Sequence, residues 1–193
     1  MPKLGMEDIR KEQVIKAAKS CIVNQGISNL SMKKLAEEAG VSTGIIYHYF
    51  KNKEDVLLQV LKESFRRSHE KVLETVNPIK NPADKLTRHL ENINAVPRDN
   101  SDFYVVLLNF LGEATYNQEI RKIVAKFFKN LKVYIEQYME TERYDKNLPV
   151  MIYALGMGLG IMWTVDQHLF DIDEMEKSIK KLFLGYMNEE KET

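Results

Sequence analysis

Apolar residues return at three- and four-residue intervals along almost the whole chain, and no stretch alternates with period two in a run rich in valine, isoleucine and threonine. The pattern predicts an all-α protein of about nine helices. They are expected over 6–25, 32–39, 43–49, 53–76, 82–95, 101–115, 118–140, 148–168 and 172–188. Breaks are expected at Gly26, Gly40, Asn77-Pro78 with Asn81-Pro82, Pro97, and Asn147 to Pro149, where glycine or proline interrupts the helical period. Ser31 stands ahead of "MKKLAEEA" and Ser42 ahead of "TGIIYHY", both placed to accept a free N–H of the first turn. Asn52 with Asp55 three residues on makes an approximate capping box for the next helix.

Between Met32 and Lys51 the spacing becomes specific. Ala36 is small enough for two helices to cross closely, Gly40 supplies a turn that a side chain would strain, and Val41 and Ile46 dock the second helix on the first. This is the pattern of a helix-turn-helix, whose second helix is held out for a DNA major groove, although short helix pairs also meet at a glycine in purely structural settings. With Ile45, Ile46 and Tyr49 turned inward, Ser42, Thr43, Gly44, Tyr47 and His48 are left outside, an unusual set to leave in water unless something binds there.

Charge sharpens the division. The 193 residues carry no net charge, yet residues 1–53 hold nine basic and five acidic side chains, a net of +4, and the remainder a net of −4. A basic head on an acidic body suits a polyanion binder with a separate second function. The single cysteine, Cys21, excludes an internal disulfide, and the opening "MPKLGMEDIRKEQ" lacks the apolar core of a signal peptide, so a cytoplasmic protein is expected. Cys21 shares a helical stripe with Ala17, Ala18 and Ile22 and reads as a small buried apolar residue.

The stretch "GISNLSMKKLAEEAGVSTGIIYHYFKNKEDVL" resembles the DNA-binding signature of the TetR family of bacterial transcriptional regulators, over roughly residues 8–60. The resemblance implies three N-terminal helices for DNA and about six more for ligand binding and dimerisation, and so a head over 1–53 and a body over 54–193. The opening "MPKLGMEDIRKEQVIKAA", with "STGIIYHYF", is further similar to the choline-responsive repressors of glycine betaine synthesis within that family; the likeness lies in the head and brings no ligand to the body. Carried over by position, the resemblance implies that Thr43 and Gly44 approach base edges, while Tyr47, Ser31, Lys33 and Lys53 touch phosphates. His48 has two readings, a contact to base or phosphate and a ring that merely packs. Tyr49 and Phe50 are expected to serve the core of the head. One head with three or four lysines binds weakly at cellular salt, so a symmetric dimer on a palindromic double-stranded operator is expected.

Leu148 to Val165 runs eighteen residues without a charge and contains Gly156-x-x-x-Gly160. A membrane helix meets the same composition, but the segment is short for a span, holds three glycines and an early proline, and lacks a flanking basic cluster. The reading adopted is a soluble homodimer through about 148–190, with close helix approach offsetting the helix-weakening glycines. The body is aromatic enough to line a cavity for a small-molecule effector, with Phe103, Phe110, Tyr134, Tyr153 and Trp163 as candidate walls and Glu113, Asp166 and His168 as candidate polar groups. No phosphate loop, cysteine pair or His-Glu-x-x-His is present, and "DIDEMEKSI" lacks the glycine and final glutamate of a calcium loop, so neither an enzyme nor a metal or other cofactor is expected. Two other functions fit the same pattern: a DNA-binding scaffold that takes no ligand, and a helical ligand-binding or structural protein whose head binds another protein.

Overall fold

The computed structural model describes residues 6–99, 101–137 and 146–192, and among them every long element is a helix. These are α1 (Met6–Gln25), α2 (Met32–Ala39), α3 (Thr43–Tyr49), α4 (Lys53–Val76), α5 (Pro82–Asp99), α6 (Ser101–Ala114), α7 (Gln118–Glu136), α8 (Leu148–Val165) and α9 (Ile172–Glu192). Two compact units divide the chain. One takes in residues up to Arg66 together with Val105–Ile123; the other takes in Arg67–Tyr104 together with residues from Val124 onward.

In the first unit α1 packs on α2, and α2 on α3. The turn between α2 and α3 follows from its sequence. Gly40 adopts φ 64°, the left-handed region that glycine enters without a Cβ clash, and Val41 N–H then reaches back to the Ala36 carbonyl at 3.0 Å, closing the helix end. Ser31 Oγ accepts the Lys34 N–H at 3.2 Å and Ser42 Oγ the Ile45 N–H at 3.4 Å, so both expected caps form. At the start of α4, Asn52 Oδ1 accepts the Asp55 N–H at 2.9 Å while Asp55 Oδ2 accepts from Lys51 N–H at 3.1 Å, a reciprocal box whose return bond lies one residue earlier than in the standard form. Val14, Ala18, Ile22, Leu35, Ile46, Phe50, Val56 and Leu61 are buried, as is Cys21.

The second unit is built on α5, which packs against both α8 and α9. Leu86 and Leu90 of α5 share a cluster with Ile135 of α7, Leu148, Ile152 and Leu159 of α8, and Ile179 and Phe183 of α9.

Several helix ends differ from expectation: α6 and α7 end earlier, at Ala114 and Glu136, α9 runs on to Glu192, and α5 and α8 differ more markedly. Helix α5 continues through Pro97 to Asp99, so the expected break at this proline is absent. Helix α8 ends at Val165, because Asp166 turns to extended backbone and its carboxylate Oδ1 accepts the His168 N–H at 2.9 Å. A single 3₁₀ turn over Ile27–Asn29, entered through Gly26 at φ 79°, follows α1. The expected end of α7, 138–140, lies outside the described residues.

Candidate nucleic-acid interface and ligand cavity

Helix α3 separates its faces cleanly. Ile46 is fully buried, and Ile45 and Tyr49 are half-buried, while Thr43, Gly44, Tyr47 and His48 share the outer face, with Tyr47 56% exposed. Phe50 is buried, in keeping with a core role, and meets Tyr49 at 6.5 Å between centroids. His48 Nε2 lies 3.5 Å from Glu7 Oε1 of α1, with both side chains 66% exposed, so screening by water leaves this pair weak and displaceable. Lys33 is exposed on α2. The cap hydroxyls of Ser31 and Ser42 use their oxygen lone pairs to accept, which leaves each O–H proton free to be donated outward.

Lys53 is differently placed. Its Nζ donates to the carbonyl of Ile27 at 2.9 Å, and the Ile27 N–H is in turn accepted by Asn109 Oδ1 of α6 at 3.2 Å. Both backbone polar groups of one residue in the 3₁₀ turn are therefore held by side chains from distant sequence. Sequence reasoning assigned Lys53 a phosphate and missed the clamp, which joins residues 26 positions apart in the chain.

A cavity of about 50 Å³ lies within the second unit, lined by Ser68, His69 and Val72 of α4, His89 and Asn92 of α5, Phe103 and Tyr104 of α6, Phe127 and Leu131 of α7, and Tyr153, Gly156 and Met157 of α8. Phe103 and Tyr153 stand in this wall. Tyr134 stands behind it, with its ring 4.9 Å from His69 and 5.6 Å from His89. Phe110 and Trp163 are not lining residues: Phe110 is fully buried in the first unit, and Trp163 packs on Phe170 at 5.9 Å. Glu113 is half-buried in the first unit, and Asp166 and His168 are exposed.

The two histidines are what the sequence reading missed. His89 is 4% exposed, and burial, with a smaller push from His69, lowers its pKa from 6.5 to about 4. Burial also lowers the pKa of His69, against an opposing pull from Glu70. Both rings are neutral at neutral pH. His89 Nδ1 is buried with no hydrogen-bond partner among the described residues. A signal was available: His89 and Asn92 interrupt the apolar stripe of α5, where a polar residue must have a reason to be buried.

The glycines of α8 serve this unit. Tyr104 O–H donates to the Gly156 carbonyl at 3.5 Å, and a Cβ at Gly160 would run into the Tyr104 ring. The Gly-x-x-x-Gly spacing therefore accommodates α6 within the same chain. The other side of α8 is apolar and open: Val150, Met151, Met162 and Val165 are exposed, as is Leu182 of α9. By length and composition α8 is also the one helix among the described residues able to cross a membrane.

Residues 14–60 match the family model for bacterial regulatory proteins of the tetR family. The chain is similar to the HTH-type transcriptional regulator BetI of Vibrio campbellii, 41% identical over 96 residues, covering 50% of this chain and 46% of that protein. It spans about half the length of the curated relatives it matches, 46% and 50% of two of them. Among solved structures it is similar to the transcriptional regulator FadR from Bacillus subtilis in complex with stearoyl-CoA, at 25% identity and TM-score 0.70, covering 89% of this chain and 96% of that one. A transcriptional regulator from Saccharomonospora viridis in complex with choline shares the fold at 21% identity and TM-score 0.74, over 90% of this chain and 95% of the other.

Proposed function

Because this chain belongs to the TetR family of bacterial regulatory proteins, we propose that it is a cytoplasmic, DNA-binding transcriptional repressor whose hold on a palindromic operator is released by a small molecule. Residues 1–53 bind DNA; residues 54–193 bind the effector and form the dimer. The observation that carries this reading is the outer face of α3, where Thr43, Gly44, Tyr47 and His48 stand exposed on a helix anchored by buried Ile46. Thr43 and Gly44 approach base edges, and Tyr47, His48, Ser31, Ser42, Lys33 and Lys53 approach the backbone.

The dimer forms through the open apolar side of α8 with α9. Val150, Met151, Met162, Val165 and Leu182 support it, since a run of exposed apolar side chains on neighbouring helices is stable in water only when covered. The same coverage keeps α8 out of a membrane. Effector binding is supported by the cavity of the second unit, and release requires the effector to favour the arrangement that does not bind DNA. The two ligand-bearing neighbours take chemically different molecules, so they leave the effector's identity open.

Selection of bound duplexes from random DNA, followed by gel shift across a salt series, tests the reading. A palindromic consensus bound by a dimer is expected; binding without sequence preference, or none, overturns it. Light scattering on Val165→Glu and Leu182→Glu is expected to show monomers in place of the wild-type dimer.

A further inference from the structure

The cavity of the second unit has a chemistry of its own. Among the described residues, no Asp, Glu, Lys or Arg lines it. Glu91, the acid on α5 between His89 and Asn92, is held by Arg88 at 3.0 Å and Lys180 at 2.8 Å. A charged ligand would therefore leave water without meeting an opposite charge.

Aromatic rings can replace a counter-charge for a cation only by turning several faces to one point. Here the rings are set edge to face against one another. Phe103 and Tyr104 meet at 83° with centroids 5.2 Å apart, and His89 and Tyr153 meet at 81° and 5.5 Å. In each pair the edge of one ring covers a face of the other, which removes that face from a cation. Burial also pushes the Tyr104 phenol above its ordinary pKa, so it offers no phenolate.

Two of the polar side chains in the wall are already engaged. Asn92 Nδ2 donates to Thr75 Oγ1 at 2.9 Å, and the Tyr104 hydroxyl is directed at the Gly156 carbonyl. His89 Nδ1 is the buried ring nitrogen without a partner among the described residues, and a neutral imidazole can present that atom as donor or acceptor according to tautomer.

Resting on the regulator reading above, we infer that the effector is an uncharged, largely apolar molecule with a hydrogen-bonding group, such as a hydroxyl or carbonyl, seated on His89 Nδ1. The apolar part lies against Phe103, Phe127, Leu131 and Met157. At about 50 Å³ the cavity holds a few heavy atoms, so a longer ligand must displace side chain, and Met157, unbranched and flexible, is the wall most able to give way.

Isothermal calorimetry on the full chain tests this with matched probes: butanol, hexanol and octanol, each beside the alkylammonium and the carboxylate of equal length, and neohexyl alcohol beside choline, its cationic isostere. The best-fitting alcohol is expected to bind at least about tenfold more tightly than its charged counterparts. His89→Leu is expected to lower alcohol affinity about three- to tenfold, His89→Asn to retain most of it, and the His89 ring-nitrogen resonance of the wild-type protein to shift on binding. A cation or carboxylate that binds more tightly than its alcohol overturns the inference. So does an alcohol whose affinity ignores His89→Leu and whose binding leaves the His89 resonance unmoved, and so does a failure of every alcohol to bind. Operator release is read separately by gel shift: a cation that binds and releases DNA sinks the charge assignment and leaves the regulator reading standing.

Discussion

Asn109 Oδ1 accepts the backbone N–H of Ile27 at 3.2 Å while its amide Nδ2 donates to the Val105 carbonyl at 2.9 Å, so one side chain of α6 fixes the 3₁₀ turn that precedes the helix-turn-helix. Asn109→Leu leaves the Ile27 N–H without its acceptor and is expected to destabilise the protein by about 1–3 kcal/mol, seen as a lower midpoint in denaturant unfolding. Asn109→Asp keeps an acceptor and should lose less. Equal loss in the two variants would show that the bond to Ile27 is not what the residue contributes.

Lys53 separates two roles by salt. If it reaches phosphate, Lys53→Met weakens operator binding and flattens the slope of log affinity against log salt by about one unit. If it only clamps Ile27, the variant unfolds more easily and the slope is unchanged. The expected result is both effects together. Lys33→Ala, at an exposed site, is expected to change the slope alone.

His89 makes stability depend on pH in a defined window. The unfolded chain takes up a proton on this ring as pH falls through 6.5, whereas the folded ring waits until about 4. The unfolded state therefore binds more protons between those values, and stability, full above about pH 6.5, falls by roughly 3 kcal/mol as pH approaches 4. His69 adds a loss of the same sign. Denaturant midpoints measured across this range should show a shallower slope in His89→Leu than in the wild type.

Two glycines two residues apart on α8 should respond in opposite directions. Within one chain a Cβ at Gly158 meets nothing within 4 Å, so Gly158→Ala, placed in the Val165→Glu background where the α8 face is uncovered, is expected to stabilise by up to about 1 kcal/mol through helix propensity. Gly160→Ala drives its methyl into Tyr104 and is expected to destabilise by about 1–3 kcal/mol. Thermal unfolding of the two variants checks the contrast.

Helix positions were legible in the sequence because their ends are written locally: Ser31, Ser42 and Asn52 cap within three residues of themselves, and Gly40 needs only its own backbone to turn. The outer face of α3 was legible for the same reason, since one helical period sorts Ile46 from Tyr47. The cavity was not. His69 and His89 lie on different helices, and nothing in either segment announces that the other is near. Phe110 and Trp163 have the composition of a cavity wall, but composition cannot tell a ring facing a void from a ring in close packing. The Gly156 and Gly160 pair was recognised as a close-approach surface, but its neighbour, Tyr104, is 52 residues from Gly156 in sequence.

Positions 104 and 160 occupy a single volume, and whatever one surrenders the other can take. Drift at either site is then constrained as a pair: a side chain at 160 becomes admissible once the residue at 104 shrinks, and that exchange would fill space beside α8 and open it beside α6 without altering the helices themselves. Tyr104 is also cavity wall, so such paired exchanges would reshape the cavity and with it the range of molecules it admits.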